Sequence, residues 1–209
     1  MTVQTDRLTI IDTIHLDDGG HESFDDGVCL EELCAYLAGE DHTAEPVCVS
    51  PILGVFGRSL NDALPDDKRQ RLVALAVPQI GTAGDGLDQV RGLMAADWLI
   101  RVSTPTWLRL ARLENSAVSL ETLPRQATWD DVDAAVPVVR EARKQAHAAW
   151  AAVAAGAAAR TTAAAAEAAG AAAGAAGAAG DAALQPTVAL LQESAIDLFT
   201  RMIQPEVTA

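Results

Sequence analysis

The amino-acid sequence predicts a mainly α-helical protein, a multi-helix bundle with a small N-terminal β-hairpin and a long Ala/Gly-rich helical segment. Apolar residues recur at intervals of three and four along most of the chain, which is the spacing of amphipathic helices. In addition, 25 of the 38 residues from 146 to 183 are alanine, the residue with the highest helix propensity. Only residues 7–16 combine β-branched side chains with partial alternation, a pattern that indicates a strand.

The predicted hairpin depends on the turn that follows this strand. Residues 17–20 have the sequence Asp-Asp-Gly-Gly, which favours a tight turn. Residues 21–24 would then return as a short second strand. We expect no other β structure in the chain.

The first helix is predicted to begin near Gly27 and to end at Gly39. Asp25 or Asp26 would cap its N-terminus, because a short carboxylate side chain accepts hydrogen bonds from the free backbone amides there. The apolar residues of this helix fall on one face. They are Val28, Leu30, Leu33, Cys34 and Leu37.

Further amphipathic helices are predicted between this helix and residue 127. They share apolar residues at helical spacing, and several begin at or next to a proline. They cover residues 51–63, 66–75, 87–102, 106–113 and 116–123. In the segment 87–102, Asp97 and Arg101 are four residues apart, so they are expected to form an ion pair.

The rear of the chain begins with a helix for which Thr128 and Asp131 form a capping box. Pro137 lies inside this helix and predicts a kink. The helix leads into the alanine-rich stretch, where most glycines fall on one side and would let a second helix approach closely. Because several glycines fall in its final third, a break is expected within residues 170–180.

The last helix is predicted over residues 186–203, with apolar residues at alternating steps of three and four, as in a coiled-coil seam. The seam consists of Val188, Leu191, Ala195, Leu198 and Met202. It would pack back along the alanine-rich helix or pair with another copy of the chain. The sequence thus suggests an acidic helical domain of residues 1–127 and an Ala-rich helical hairpin of residues 128–209, or one continuous domain.

The negative charge of the chain is concentrated at its front. The formal net charge is −14, and residues 1–67 hold 15 of the 29 acids but only two bases, Arg7 and Arg58. Direct nucleic-acid binding is disfavoured, because it needs clusters of Lys and Arg. The charge favours a cation, a basic protein surface or solubility alone. For a basic protein partner, the candidate contacts are Asp17, Asp18, Asp25 and Asp26.

Composition also predicts the compartment. Alanine and glycine are barely apolar and charged residues interrupt the alanine-rich stretch, so no membrane span is predicted. The N-terminus has no apolar segment typical of a signal peptide. Three cysteines, an odd number, argue against a disulfide framework. We therefore expect a cytoplasmic protein.

Side chains that bind zinc are concentrated in residues 21–48. All three cysteines and two of the four histidines fall within this segment. In a zinc site, His21, His42 and Cys48 would bind the metal, and Glu32 would act as the base for a bound water. The alternatives are a metal-free polar site and purely structural roles, since a free cysteine often behaves as a small buried apolar residue.

Residues 21–110 carry a resemblance to a known group of proteins. The segments HES, GVCLEE, AYLAGEDH, PVCVSP, NDALPDD, GTAGDG, MAADWLIR and TPTWLRL, followed by the alanine-rich tail, resemble a family of actinobacterial and actinobacteriophage proteins with no assigned activity. The resemblance covers most of the chain and implies no role for any residue. The alanine-rich half is also similar in composition to immunity proteins of bacterial toxin systems. Both likenesses imply a setting in phage biology or bacterial conflict.

Two functional hypotheses follow. The first is a non-enzymatic interaction protein whose acidic front binds a basic protein partner and whose C-terminal helix could support self-association. The second is a metal-dependent hydrolase that uses the histidine, cysteine and glutamate side chains of residues 21–48, with zinc as the cofactor. Binding is favoured over catalysis, because no familiar catalytic or phosphate-binding motif is present.

Overall fold

The computed structural model describes residues 2–161 and 169–206, and this part of the chain is mainly α-helical, without a β-strand. The predicted mainly α fold is therefore confirmed. The α-helices are α1 (Leu30–Ala38), α2 (Pro51–Ala63), α3 (Asp66–Arg69), α4 (Val73–Gln79), α5 (Asp88–Trp98), α6 (Thr104–Leu110), α7 (Glu114–Glu121), α8 (Trp129–Thr161) and α9 (Ala169–Ile203).

The predicted N-terminal β-hairpin is wrong. Thr5–Ile10 forms a 3₁₀ helix, and its amides bond to carbonyls only a few residues away. This segment docks on the end of α1, where Gln4 N donates to Leu37 O over 2.8 Å and the Arg7 guanidinium donates to Tyr36 O over 2.8 Å. A strand needs a neighbouring strand for its backbone bonds, and the helical surroundings provide none.

Residues 21–24, the predicted second strand, are also held by a helix. The ring of Phe24 stacks on Tyr36 of α1 with centroids 4.3 Å apart. Phe24–Asp26 is itself a short 3₁₀ helix. This segment therefore packs on α1 through Phe24 instead of pairing as a strand.

Helix α1 begins three residues later than predicted. Its N-cap is Cys29, and neither Asp25 nor Asp26 caps it, because Gly27 has an extended backbone with φ of +133° that separates the acids from the helix. Its end is as predicted: Gly39 adopts the left-handed conformation with φ of +79°, which glycine tolerates best.

Helix α2 has the predicted bounds, with Pro51 as its first residue and the Ser50 hydroxyl accepting a bond from Leu53 N. The next helical segment runs further than predicted. Asp66–Arg69, the 3₁₀ turn Gln70–Leu72 and Val73–Gln79 follow one another without a loop.

Helices α5 and α6 are joined rather than separated at Pro105. A π-helical turn, Leu99–Ser103, connects them. A wider turn of this kind accommodates a residue that lacks an amide donor. The predicted ion pair is confirmed, with Arg101 Nη1 3.1 Å from Asp97 Oδ1. Asp97 also accepts a bond of 2.8 Å from Gln126 N, which ties this turn to the segment before α8.

The capping box of α8 is confirmed. Thr128 N donates to Asp131 Oδ2 over 2.8 Å, and Asp131 N donates to Thr128 Oγ1 over 3.2 Å. Pro137 lies within α8, which continues past it.

The predicted break in residues 170–180 is wrong, since α9 is continuous there, and Pro186 lies inside α9 instead of beginning a helix. The predicted close packing through glycine concerns residues 150–183, whose side-chain surroundings lie outside the described structure. Of the predicted seam, Leu191, Ala195, Leu198 and Met202 are buried.

The chain forms two compact units, Met1–Met94 with Ser194–Ala209, and Ala95–Glu193. This grouping differs from the sequence-based division at residue 127, because the last turns of α9 belong with the N-terminal helices. The first unit contains the large buried side chains of α1, with Phe199 and Met202 from α9. The second has a smaller core around Leu108, Leu120 and Ala142. Among the helices described, none is both long and apolar enough to cross a membrane.

Candidate functional site

The start of α1 is organised by the carboxylate of Glu32, which is almost fully buried. Its Oε2 accepts bonds of 2.8 Å from Cys29 N and from His21 Nδ1, and its Oε1 accepts a bond of 2.9 Å from His21 N. Burial alone would raise the pKa of Glu32, but these hydrogen bonds outweigh it and hold the pKa below its usual value. Glu32 is therefore an ionised group that both caps α1 and anchors His21.

The imidazole of His21 lies against Gly27. A Cβ at Gly27 would be 2.6 Å from His21 Cδ2 and 2.9 Å from Asp17 Oδ2, so any side chain there would collide with both. The φ of +133° at Gly27 also disfavours every other residue. Glycine is thus required at this position both for its backbone conformation and for the space it leaves to the ring.

His42 joins the same group from the loop after α1. Its Nε2 donates to the carbonyl oxygen of His21 over 3.0 Å and lies 3.6 Å from Glu32 Oε1. The side chains of His21 and His42 are mostly buried. His21, Glu32 and His42 therefore form one connected group, which we name the His–Glu–His cluster.

The fourth predicted site residue, Cys48, takes part in a different interaction. Its backbone N donates to Glu40 Oε1 over 2.9 Å. Burial, followed by the neighbouring Glu40 carboxylate, raises the pKa of the Cys48 thiol to about 12. Burial likewise raises the pKa of Cys29 to about 12. Both thiols are thus neutral at physiological pH, and a neutral thiol is a poor nucleophile and metal ligand.

The predicted zinc ligands are therefore only partly brought together. His21 and His42 meet at Glu32, and Cys48 does not join them. Within residues 2–161 and 169–206, no group of three or more His, Cys, Asp or Glu side chains is arranged to hold a metal ion. Zinc binding stays a prediction.

The acidic loop, which we define as residues 17–26, contains the four predicted partner-contacting acids. Asp18, Asp25 and Asp26 are exposed, and Asp17 is half-buried beside Gly27. The Asp18 side chain is 73% exposed. The loop thus presents most of its carboxylates to solvent.

Side chains from α2 and the following helical segment hold this loop in place. Asn61 is fully buried, donates to Asp17 O over 2.8 Å and accepts a bond from Leu30 N. Gln70 bonds both the amide and the carbonyl of Leu16, at 2.8 Å and 2.9 Å. Together with Glu32, these residues fix the backbone on both sides of the exposed acids.

Further acids adjoin the loop. Asp62 Oδ1 accepts a bond of 2.9 Å from Gly19 N, and Asp66 lies 2.9 Å from His15 Nε2. Arg69 lies 3.9 Å from Asp18 and 3.5 Å from Asp66. The surface is therefore a group of carboxylates with some basic neighbours of its own, and it retains a strong excess of negative charge.

Sequence reasoning identified Glu32 and the acids but missed the residues that support them. The role of Gln70 depends on the backbone of Leu16, far away in the sequence, and the role of Gly27 depends on the side chains of His21 and Asp17. The one signal that pointed to Gly27 is its position between two acids and an apolar helix, where a glycine often has an unusual φ angle.

Comparisons with protein-family models, with curated proteins and with solved structures gave no match to this chain. The resemblance to actinobacterial and actinobacteriophage proteins stays a prediction.

Proposed function

We propose that this protein is a non-enzymatic interaction protein that binds a basic protein partner through its acidic loop. The observation that carries the proposal is the way the loop is held. The buried side chains of Glu32 and Asn61 and the partly buried side chain of Gln70 fix its backbone, while Asp18, Asp25 and Asp26 are exposed to solvent.

A loop held in one conformation loses little conformational entropy when a partner binds. Less of the favourable free energy from its charges is therefore offset by ordering the loop. An excess of negative charge also speeds the encounter with a positively charged surface. If the acids served only to keep the protein soluble, their charge would be needed, but the hydrogen bonds that hold the loop in one conformation would not. The proposed setting is phage biology or bacterial conflict, as the family resemblance implies.

A defined basic probe tests this proposal. The first variant changes the four acids of the loop to amides, as Asp17→Asn, Asp18→Asn, Asp25→Asn and Asp26→Asn. The matched control changes four exposed acids of the other unit, as Asp130→Asn, Asp133→Asn, Glu114→Gln and Glu141→Gln. Both variants raise the formal net charge by four, and they lose it in different units of the chain.

The measurement is the affinity of a fluorescent Lys/Arg-rich peptide at low and at physiological ionic strength. We expect the loop variant to bind about tenfold more weakly and the control variant to bind nearly as the natural chain does. Equal losses in both variants would show that net charge alone attracts the peptide, and the proposal would then be wrong.

One observation favours a second candidate, a metal-dependent hydrolase: His21, Glu32 and His42 meet at one place. In this candidate the histidines would bind zinc and Glu32 would activate a water. Cys48 would have to leave Glu40 to join them. Elemental analysis of the purified protein tests the idea. Near-stoichiometric zinc that is lost in His21→Ala and His42→Ala would support it, and metal content unaffected by both substitutions would refute it.

A further inference from the structure

Glu31, the residue before the cluster glutamate, has an environment unlike that of Glu32. It is fully buried, and neither of its carboxylate oxygens has a hydrogen-bond partner. An ionised carboxylate is very unfavourable in such surroundings, so the group is held in its protonated form. The proposed function and the His–Glu–His cluster do not use this side chain.

The Glu31 carboxyl lies where three helices meet. A methyl group at Gly57 of α2 would overlap Glu31 Oε1 and would lie 3.0 Å from Cζ of Phe199. Phe199, from the last turns of α9, is fully buried and stacks on Phe56 with centroids 5.6 Å apart. Glu31 Oε1 and Phe199 Cζ thus both lie beside Gly57, which places the Phe199 ring next to the carboxyl.

The ionisable groups around Glu31 do not neutralise it. Arg58 of α2 is the basic group that acts on it, but its guanidinium is bonded to Ala44 O over 2.6 Å and lies 3.5 Å from Glu45. Burial therefore prevails over Arg58 and raises the pKa of Glu31 to about 8.

The other titratable groups near Glu31 do not oppose the effect of burial. Glu32, the next residue on α1, is ionised, and a negative charge disfavours a second one nearby. Cys34 of α1 and Cys48 of the following loop are within electrostatic range, and their thiols are neutral. On α9, the charged residues nearest in sequence to Phe199 are exposed and paired with each other, Arg201 lying 3.0 Å from Asp197.

We propose that the docking of the C-terminal turns, residues 194–203, onto α1 and α2 is linked to a proton on Glu31, so that these turns open more readily as pH rises. In the docked state the carboxyl is enclosed and neutral. When Phe199 moves away, the carboxyl meets water and ionises, and its proton passes to solvent. The open state is thereby favoured by alkaline conditions.

The pH window follows from the two states of Glu31. Its ordinary pKa is 4.5, and the docked protein raises the pKa to about 8. The docked form is therefore most stable below pH 4.5 and loses stability as pH rises to about 8. Within this window the opening equilibrium constant should rise about tenfold per pH unit, and above it the constant should level off.

Other contacts of the C-terminal turns do not share this dependence. Arg91 donates to Met202 O over 2.9 Å and to Ile203 O over 3.2 Å, and a guanidinium keeps its charge throughout the window. Its partner Asp85 has a pKa held below the usual value, first of all by the hydrogen bond from Arg91. Asp85 therefore titrates at lower pH than the window of Glu31.

Hydrogen exchange of the amides of residues 194–203, measured between about pH 5 and pH 9, tests the proposal. The reference is Glu31→Gln, which removes the titrating group and keeps its size. Intrinsic exchange rates and the imidazoles are common to both proteins, so they cancel in the ratio of natural to variant rates. A second reference, Glu31→Met, replaces the carboxyl by an apolar side chain. It is used if the buried amide of Glu31→Gln prevents folding.

We expect this ratio to rise about tenfold per pH unit up to about pH 8 in residues 194–203. A ratio that does not change with pH would overturn the proposal. A rise of equal size in every helix of the first unit would also overturn it, because the whole unit would then be opening. The test is independent of the proposed function, since neither reference substitution changes the acidic loop.

Discussion

Substitution of Glu32 by Gln tests whether one buried carboxylate holds the acidic loop in its binding conformation. The carboxylate accepts three hydrogen bonds, two at Oε2 and one at Oε1. A glutamine has only one acceptor oxygen, so in either orientation its amide group would face a backbone N–H of Cys29 or His21.

The expected loss of stability follows from these bonds. A buried donor left without an acceptor costs about 1–3 kcal/mol, and the bonds that remain lose the strength that an ionised acceptor provides. We therefore expect Glu32→Gln to destabilise the first unit by about 2–4 kcal/mol. Urea unfolding followed by circular dichroism measures this change, and hydrogen exchange of residues 17–26 locates it.

The pH dependence of the same variant gives a second readout. Because the folded protein lowers the pKa of Glu32, the stability contributed by this group is present above its ordinary pKa of 4.5 and is lost as pH falls through the folded value. The difference between natural protein and variant should therefore shrink below about pH 4.5.

Binding separates loop conformation from charge. Glu32→Gln leaves every exposed acid in place, yet we expect weaker binding of the basic peptide because the loop must now be ordered by the partner. The exposed substitution Glu141→Gln, which changes the net charge equally, is the control. Unchanged peptide affinity together with unchanged exchange in residues 17–26 would refute the reasoning.

Three further results are expected. Gly27→Ala should lower the free energy of unfolding in urea by about 2–4 kcal/mol, since the new Cβ would meet the His21 ring. The control is Gly19→Ala, which has a φ of +81° and open space around it and should lose only about 1–2 kcal/mol. Equal losses in the two variants would show that the ring contact is unimportant. Arg91→Met should cost about 3–5 kcal/mol, because it leaves Asp85 and the carbonyls at the end of α9 without their buried donor. In that experiment the exposed substitution Arg140→Met is the control, and a loss below about 1 kcal/mol would contradict the role of Arg91. When the native protein is mixed with a thiol reagent and labelling is followed over time, Cys29 and Cys48 should react slowly, because burial raises the pKa of both thiols. Rapid labelling of these thiols at neutral pH would contradict this expectation.

Local features of the chain were predictable because their causes lie within a few residues. Pro51 supplies the backbone angle of a first helical turn, and Gly39 accepts the left-handed conformation that ends a helix. Thr128 with Asp131, and Asp97 with Arg101, bond at the spacing of one helical turn. Each of these features can therefore be predicted without knowledge of the tertiary structure.

The errors have the opposite origin. β-branched residues near the N-terminus indicated a strand, but a strand forms only where another strand pairs with it, and Thr5–Ile10 docks on a helix instead. Trp107 is a large apolar residue, yet its side chain is substantially exposed, while its neighbour Leu108 is buried. Which face of a helix is covered is decided by the elements that surround it.

The sequence by itself determined the helical class, most helix positions and the concentration of acids at the front, since propensity, capping and charge are properties of short segments. Only the tertiary structure decided the roles of two adjacent glutamates. Glu32 meets the amides of Cys29 and His21 and is ionised, while Glu31, one residue earlier on α1, points to Gly57 and Phe199 and is protonated. Neighbours in sequence on a helix point in directions about 100° apart, so packing gives them different surroundings and therefore different chemistry.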